Sequence, residues 1–362
     1  MSLKQLTIVG PLPPPAGGMA NQTAKLAELL RAEGLQVNVI QTNPAYQPAW
    51  VGKLPVLRAG VRLWQFFRTL QRELTPQVQL IHLMANSGWS WHLFAAPVIW
   101  VARHKNIPVV LNYRGGYADA FFAKSWARVD ASLRHCAVIL VPSTFLQQVF
   151  ARYGKDSVIV QNVLDTELFV PVATAGRDAD APHVVVTRNL EAIYDVASCI
   201  RAFAVIQQQF PAARLSVAGT GPELAALQQL VSELQLRQVN FVGRLTPQQV
   251  AALYQDADLM LNGSLVDNTP NSLIEAMASG VPVVSTDSGG IPQLVTHQKD
   301  ALLVPAGQPA QLASAALAVL QDAALRQSLI EAGLANAARF SWHKVWELLQ
   351  QQYLQVLARR TL

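Results

Sequence analysis

Short apolar runs alternate with amphipathic helical stretches along almost the whole chain. This alternation predicts strands that each lead into a helix, a succession that pairs strands in parallel and covers both faces of the sheet. The expected strands of the first half cover residues 5–9, 36–41, 80–83, 109–113, 137–141 and 157–160. Those of the second half cover residues 183–187, 213–218, 239–242, 259–261, 282–285 and 301–304. The pattern therefore predicts an α/β fold made of two similar doubly wound halves.

The length of 362 residues exceeds what one ordinary core accommodates, so two domains are expected. The break lies in residues 171–182, PVATAGRDADAP, where the apolar periodicity stops. We predict an N-terminal domain over 1–172 and a C-terminal domain over 173–345, with a helix over 346–362 that can cross back to the first domain. Because ligands of open α/β sheets bind at the carboxyl ends of strands, a cleft between the domains is the expected site.

Composition narrows the classes of partner. The chain is 51% hydrophobic, but no apolar run reaches the length of about eighteen residues that a membrane span needs. The net charge of +5 suits phosphate-bearing ligands and anionic membranes alike. The basic residues form no long run and no recognition module, which argues against a nucleic-acid partner. Cys136 and Cys199 lack metal-ligand spacing, and the N-terminus lacks a secretory signal, so we expect a cytoplasmic protein with reduced thiols.

The segment DNTPNSLIEAMASGVPVVSTDSGG at 267–290 carries the most informative local pattern. It predicts a polar loop, a helix with Thr269 as N-cap and Pro270 as first residue, a helix-ending Gly280 and a buried strand. Glu275 lies inside that helix among aliphatic residues, where an unpaired carboxylate is costly. It therefore needs a partner, which is either a protein group or a set of ligand hydroxyls.

Two other places in the chain favour an anionic ligand. Gly17 and Gly18 precede an expected helix, where glycines allow close approach of a phosphate or sugar and helix amides favour negative charge. A purely structural turn fits these glycines equally well. Arg188 follows the strand at 183–187, and its planar guanidinium matches phosphate oxygens. A salt bridge that closes the two domains is the alternative role for Arg188.

The motifs resemble those of the retaining glycosyltransferases of family 4, also called glycosyl transferases group 1. The resemblance is carried by Gly17 and Gly18, VPSTF at 141–145, QNVLDTELF at 161–169, AGTGPE at 218–223, FVGRL at 241–245, and the acidic segment with its GGIP continuation. It covers nearly the whole chain and implies the GT-B architecture, in which two Rossmann-like domains face a cleft. It also implies transfer of a hexose from a nucleotide-diphospho-sugar to an acceptor hydroxyl, with retained configuration and no metal or other cofactor.

The same resemblance assigns residues to the donor site. The family has two glutamates separated by seven residues, and Asp267 and Glu275 occupy these positions. Glu275 would bind the ribose hydroxyls, and Asp267 would approach the transferred sugar and act with Arg188 as the catalytic pair. The other expected donor-binding residues are Asn268, Thr269, Pro270, Asn271, Ser272, Gly221, Arg244, Gly17 and Gly18. Retention is ascribed to same-face attack assisted by the leaving phosphate, so Asp267 is not assigned as a nucleophile.

Three departures from the family pattern bear on activity. Asp267 is one methylene shorter than the usual glutamate, which can alter sugar choice or weaken activity. Residues 194–195 are Tyr-Asp where Lys-Gly is usual, so Arg188 would carry more of the leaving-group charge. Arg114, followed by Gly115, stands where many relatives have a histidine. It can meet an anionic acceptor or the diphosphate, although a surface arginine on a glycine turn fits as well.

The acceptor is the least constrained partner, and the resemblance implies a glycan or lipid-linked molecule in cell-envelope polysaccharide or glycolipid synthesis. Residues 54–74 place Arg58, Arg62, Arg68 and Arg72 among aromatic and aliphatic residues. Such a basic amphipathic helix can lie on an anionic membrane, as a peripheral contact at the inner face, or can be an ordinary domain helix with solvated arginines.

Two other functions stay open. One is a hydrolase or epimerase of nucleotide sugars with the same architecture, although the sequence contains no recognisable water-activating dyad. The other is a nucleotide-sugar-binding protein without catalysis, which the short Asp267 and the missing lysine suggest.

Overall fold

The computed structural model describes residues 3–14, 18–45, 55–115, 117–171 and 178–359, with 55–58 described as backbone alone. The chain folds into two compact units. The first contains Met1–Val163 and His343–Leu362, and the second contains Leu164–Trp342. Residues 172–177 of the expected linker and residue 54 of the expected basic helix lie outside the described residues.

The described residues of the first unit form one sheet of six parallel strands. These strands are β1 (Gln5–Gly10), β2 (Gln36–Gln41), β3 (Leu80–Ala85), β4 (Val109–Tyr113), β5 (Val138–Val141) and β6 (Val158–Ile159). Their order across the sheet is β2-β1-β3-β4-β5-β6. Each apolar run of the first half forms one of these strands, which confirms the prediction.

Helices follow the strands of the first unit as expected for parallel pairing. They are α1 (Gly18–Ala32), α2 (Pro55–Glu73), α3 (Ala96–His104), α4 (Ala118–Leu133) and α5 (Thr144–Arg152). The helix predicted over 54–74 is therefore confirmed over Pro55–Glu73, and Leu74 lies just beyond its end. It buries Phe66 and Leu70 against the sheet and leaves Trp64 and Phe67 exposed.

The second unit repeats the arrangement, again with six parallel strands among its described residues. They are β7 (His183–Thr187), β8 (Arg214–Ala218), β9 (Val239–Gly243), β10 (Leu259–Asn262), β11 (Val283–Thr286) and β12 (Leu302–Val304). Their order is β12-β11-β10-β7-β8-β9, and each corresponds to a predicted strand. The helices are α6 (Val196–Gln209), α7 (Leu224–Glu233), α8 (Pro247–Gln255), α9 (Asn271–Ala278), α10 (Ile291–Leu294), α11 (Pro309–Gln321) and α12 (Ala323–Ala337).

Both faces of the second sheet are covered, as a doubly wound fold requires. Consecutive residues of a strand point to opposite faces, so Leu259 and Leu261 of β10 belong to one buried cluster and Met260 to another. A run of consecutive apolar residues is therefore the expected signature of these strands. The described helices do not include one that is long and apolar enough to cross a membrane.

The last helix, α13 (Trp342–Arg359), belongs almost entirely to the first unit. It inserts the fully buried Tyr353, whose hydroxyl lies 2.8 Å from Nδ1 of His82 in β3. Helix α13 thus contacts the first sheet through the buried Tyr353.

Candidate functional site

Loops from four neighbouring strands meet at the carboxyl edge of the second sheet. The strands β11, β10, β7 and β8 are adjacent in this order and pair in parallel. The loops that follow them carry Gly289, Asp267, Arg188 and Gly221, respectively. Because carboxyl ends of parallel strands share one edge, residues distant in the chain become neighbours there.

Glycines allow these loops to touch through their backbones. A Cβ atom on Gly289 would lie 2.0 Å from the carbonyl oxygen of Asp267, and one on Gly221 would lie 2.1 Å from that of Leu190. Gly289 also has a φ of +60°, in the left-handed region. A side chain at either position would force apart the loops that carry the candidate site residues.

Arg188 is at the centre of this edge, with a side chain that is only 11% exposed. Its guanidinium forms an ion pair with Asp267 and donates a hydrogen bond to Ser272 Oγ at 3.3 Å. Arg188 Nε is buried and has no hydrogen-bond partner among the described residues. The structure thus brings together Arg188, Asp267 and Ser272, and the ion pair lies within the second unit rather than between domains.

The ring of Tyr194 covers the Arg188 guanidinium, with Cζ of the arginine 4.1 Å from the ring centroid. The next residue, Asp195, has φ of +39° and ψ of 52°, a left-handed conformation that glycine adopts most easily and aspartate tolerates. Its carboxylate accepts the backbone N–H of Ser198 at 3.2 Å and caps α6. At the two positions where the family resemblance implies Lys-Gly, this chain therefore has a ring stacked on the arginine and a capping aspartate.

The loop before α9 differs from the prediction at its helix start. The helix begins at Asn271 with Pro270 as N-cap, so the predicted N-cap at Thr269 is wrong. Pro270 has an extended ψ of 113°, which delays the helix by one residue and places the Thr269 side chain too early to accept a first-turn amide. Thr269 Oγ1 is buried without a partner among the described residues. Asn268 donates its backbone N–H to Asp267 Oδ1 at 2.8 Å.

The other end of α9 agrees with the prediction. Gly280 has a φ of +72° and donates its N–H to the Met277 carbonyl at 3.1 Å. The N–H of Val281 reaches the Ala276 carbonyl at 2.9 Å, which completes a Schellman motif. The turn leads directly into the buried strand β11.

Glu275 lies on α9 with a half-buried side chain. The described residues give its carboxyl group neither a hydrogen bond nor an ion pair. Burial raises the pKa of Glu275 from 4.5 to about 7, although the Arg188 guanidinium partly opposes this shift. The part of the chain that the structure describes therefore leaves this carboxyl group without the partner that its burial calls for.

We expect Glu275→Gln to reduce the dependence of stability on pH between about 4.5 and 7. The unfolded chain releases this proton near pH 4.5, whereas the folded chain releases it near pH 7, so the folded state loses stability as pH rises through that window. Glutamine does not titrate. Chemical denaturation at a series of pH values measures the effect, with Glu331→Gln on the exposed surface of α12 as the control. An unchanged pH dependence in Glu275→Gln would contradict the burial of this group.

Arg244 follows β9 and is exposed. None of the described residues forms an ion pair with it. The carbonyl of Gly243 accepts the N–H of Gly219 at 2.8 Å, which joins the β9 loop to the loop that contains Gly221. Arg244 thus lies beside the edge but outside the cluster around Arg188.

In the first unit, Arg114 follows β4 and belongs to a chain of hydrogen bonds. Its Nε donates to Asn112 Oδ1 at 3.1 Å, and a terminal N–H donates to Asn162 Oδ1. Because the Asn112 carbonyl accepts from Arg114, its amide donates to His82 Nε2 at 3.1 Å. The His82 proton is then on Nδ1 and is donated to Tyr353 Oη. Burial, with the Arg114 charge, lowers the pKa of His82 to about 3, so this ring is neutral near pH 7.

The three glycines predicted to border a site in the first unit differ in what the structure shows of them. A Cβ atom on Gly115 would lie 2.2 Å from Ser87 Oγ, so only glycine fits against the loop that follows β3. Gly18 is the exposed first residue of α1, and a Cβ there would meet open space. Gly17 lies outside the described residues.

Tyr254 is a site residue that the sequence reasoning missed. Its hydroxyl donates to the Ser272 carbonyl at 3.0 Å and lies 2.6 Å from Thr187 Oγ1. Tyr254 therefore links the end of β7, just before Arg188, to the first turn of α9 by hydrogen bonds. The available signal is a tyrosine that follows the apolar residues Val250–Leu253 in helix α8, but its partners lie far along the chain.

The chain matches two protein-family models and several known glycosyltransferases. Residues 16–168 match the family model described as Glycosyltransferase Family 4, and residues 181–322 match the model described as Glycosyl transferases group 1. A D-inositol 3-phosphate glycosyltransferase from Corynebacterium jeikeium is 33% identical over 162 residues, which cover 42% of this chain and 39% of that protein. A phosphatidyl-myo-inositol mannosyltransferase from Mycobacterium leprae is 23% identical over 359 residues, covering 93% of this chain and 92% of that protein.

The fold is also shared with a solved structure. Anabaena HepE, crystallised with UDP and glucose, has a TM-score of 0.74 and 18% identity, and the match covers 97% of this chain and 100% of that one. The similarity spans about two fifths of the length of the curated relatives that are one third identical to this chain.

Proposed function

We propose that this chain, which belongs to glycosyltransferase family 4, transfers a hexose from a nucleotide-diphospho-sugar to an acceptor hydroxyl and retains the anomeric configuration. One observation supports this function above the others. A paired, stacked arginine, a helix N-terminus and a carboxyl group to which no described residue bonds lie together at the carboxyl edge of one sheet. These groups suit the phosphates and the ribose of one nucleotide.

Arg188 and the start of α9 would bind the diphosphate. The transition state gathers negative charge on the departing phosphate, and a guanidinium beside helix amides stabilises such charge. Asn268, Thr269, Pro270, Asn271 and Ser272 form the segment that leads into this helix. Gly221 lets its loop pack against the backbone of Leu190 and would lie beside the nucleotide, and Arg244 would add positive charge from the neighbouring loop.

Glu275 would accept hydrogen bonds from the ribose hydroxyls. Its carboxyl group is half-buried and receives no hydrogen bond from the described residues, so ligand hydroxyls would satisfy it. Ligand hydroxyls that donate to the carboxylate would also favour its ionised form and lower its pKa again.

Asp267 would approach the hydroxyls of the transferred sugar while it holds Arg188 in place. Its carboxylate is already engaged by Arg188 and by the Asn268 amide, which favours a positioning role over nucleophilic attack. The retained configuration would come from same-face attack assisted by the leaving phosphate.

The first unit would supply the acceptor side. Gly18 begins α1, and Arg114 and Gly115 follow β4, so these residues would border an acceptor or a phosphate at the carboxyl edge of the first sheet. Gly17, which lies outside the described residues, precedes Gly18 in the chain and is proposed for the same role. The acceptor would be a glycan or a lipid-linked molecule of the cell envelope. The proposed chemistry uses no metal ion or other cofactor, since positive charge at the leaving group comes from arginine and helix amides.

A panel of nucleotide sugars, incubated with purified protein in the presence and absence of membrane extract, tests this function. Nucleoside diphosphate release that requires the extract supports transfer, and release without it indicates hydrolysis. Binding without any release would overturn both and indicate a nucleotide-sugar-binding protein, the alternative that the engaged Asp267 favours. Release should persist in excess EDTA, and the anomeric configuration of the product should match that of the donor.

An exposed face of the first unit would hold the protein at the inner surface of an anionic membrane. Trp64, Phe67 and Trp100 are 58%, 39% and 37% exposed on α2 and α3. Phe67 and Trp100 line a groove of about 640 Å³ between these helices. Arg68 and Arg103 stack on Trp64 and Trp100, so cations and apolar rings occupy the same face.

We expect the double variant Trp64→Ser/Phe67→Ser to bind phosphatidylglycerol vesicles about tenfold more weakly than the wild type, because it loses apolar area that would enter the interface. Sedimentation with vesicles measures this, and phosphatidylcholine vesicles should bind weakly in all cases. Tyr117→Ser, which removes a 63% exposed ring elsewhere in the first unit, is the control and should bind like the wild type. Equal binding of the double variant would remove this face from the membrane contact.

A further inference from the structure

Arg114 carries a positive charge that its protein partners orient but do not neutralise. Its two hydrogen-bond acceptors, Asn112 Oδ1 and Asn162 Oδ1, are neutral amide oxygens. No carboxylate of the described residues forms an ion pair with it. Arginine in such surroundings is usually paired, because a desolvated cation without a counter-charge is costly.

The residues that are linked to Arg114 through Asn112 carry no negative charge. His82 is neutral, and its two ring nitrogens are engaged by Asn112 and Tyr353, so the network has no negative group to offer. Burial lowers the pKa of Arg114 only to about 10, which leaves the guanidinium charged near pH 7. The hydrogen-bonded series Tyr353–His82–Asn112 thus fixes a guanidinium whose charge no described carboxylate neutralises.

Arg114 is half-buried at the carboxyl edge of the first sheet, directly after β4. Glycine at position 115 keeps the loop close to Ser87, which follows the adjacent strand β3. Beyond Asn162, the backbone of Val163 exchanges two hydrogen bonds with the Gln22 side chain of α1, at 3.1 and 3.2 Å. The first turns of α1 are therefore bonded to the segment after β6, and Asn162 of that segment accepts a hydrogen bond from Arg114. The N-terminus of a helix favours anions.

We propose that Arg114 binds an oxyanion of the acceptor, a phosphate or a carboxylate, so that the acceptor of this enzyme is an anionic molecule. This inference rests on the proposed transfer function and specifies its acceptor class. The donor diphosphate already has Arg188 and the start of α9 in the second unit, whereas Arg114 belongs to the first unit. The planar fork of arginine matches both oxyanions, and two probes distinguish them.

Calorimetric titration of the full chain, saturated with the nucleotide sugar that it binds, uses methyl phosphate and acetate as probes. We expect at least one probe to bind the wild type, and its affinity to fall at least about tenfold in Arg114→Gln. Tighter methyl phosphate indicates a phosphate ester, and tighter acetate a carboxylate. Arg152→Gln, which removes a 57% exposed arginine of the same unit, should bind like the wild type. Nucleotide-sugar affinity should change less than about twofold in Arg114→Gln.

Equal probe affinity in Arg114→Gln and the wild type would overturn the inference. A parallel loss of nucleotide-sugar affinity would also overturn it and place Arg114 at the diphosphate. If Arg114→Gln does not fold, an inhibition experiment on the wild type tests the inference instead. The probe that binds more tightly should inhibit the extract-dependent release of nucleoside diphosphate. This inhibition should be competitive with the membrane extract and not with the nucleotide sugar. Arg114-dependent probe binding in a chain that binds no nucleotide sugar would uphold the anion site and overturn the proposed transfer.

Discussion

Glu275→Ala is expected to weaken nucleotide-sugar binding about 100-fold. The carboxylate would accept two ribose hydroxyls, and hydrogen bonds to a charged group contribute about 1.5–3 kcal/mol each. Since a factor of ten corresponds to about 1.4 kcal/mol, the loss of both bonds predicts this order of change. Calorimetric titration with the nucleotide sugar that binds best in the panel measures the effect.

The design of the Glu275 experiment separates binding from folding. No protein hydrogen bond to the carboxyl group is lost among the described residues, so the variant should unfold cooperatively with little loss of stability. Glu331→Ala, on the exposed side of α12 in the same unit, should keep the affinity of the wild type. Retained affinity in Glu275→Ala would remove the ribose role and with it the main support for a nucleotide at this edge.

The affinity for the nucleotide sugar should also depend on pH below about 7. Glu275 has a pKa of about 7 without ligand, so below that value a donor that prefers the carboxylate must first displace a proton. Affinity should therefore fall by up to tenfold for each pH unit below 7 in the wild type. Glu275→Ala should lack this dependence.

The strands could be predicted closely because their signal is local. The inner strands of both parallel sheets are buried on both faces and are therefore runs of mostly apolar residues, whereas the edge strands β2 and β9 alternate polar and apolar residues. The buried setting of Glu275 was also predictable, since its aliphatic neighbours lie within one helical turn. The start of α9 was not, because the N-cap depends on whether Pro270 takes an extended or a helical backbone.

Pairings between distant residues could not be predicted. The sequence assigns both Arg188 and Asp267 to the site, but their ion pair depends on β7 and β10 being adjacent. The order of strands in a sheet cannot be derived from the local sequence pattern. The sequence shows Tyr194 only as a residue that replaces the usual lysine, whereas in the structure its ring stacks on Arg188. The contact of Tyr353 with His82 depends on α13 belonging to the first unit.

Arg188→Ala is expected to lower kcat for extract-dependent sugar transfer by about 10²- to 10³-fold. A preorganised group that faces developing negative charge contributes about 2.7–4 kcal/mol to the transition state, and no lysine supplements Arg188 here. Release of nucleoside diphosphate at saturating donor measures kcat. Arg188→Lys should recover only part of the rate, because lysine keeps the charge but loses the planar contact with Tyr194 and the fork toward Asp267.

Two further variants separate chemistry from structure at Arg188. Arg201→Ala, which removes an exposed arginine of α6, should leave kcat unchanged. Asp267→Asn removes the ion-pair partner but keeps the guanidinium, so it should lower kcat less than Arg188→Ala if the arginine acts on the leaving group. If Arg188→Ala instead keeps kcat and loses only thermal stability, the ion pair with Asp267 is structural. The leaving-group charge would then have to be stabilised by Arg244 and the amides at the start of α9.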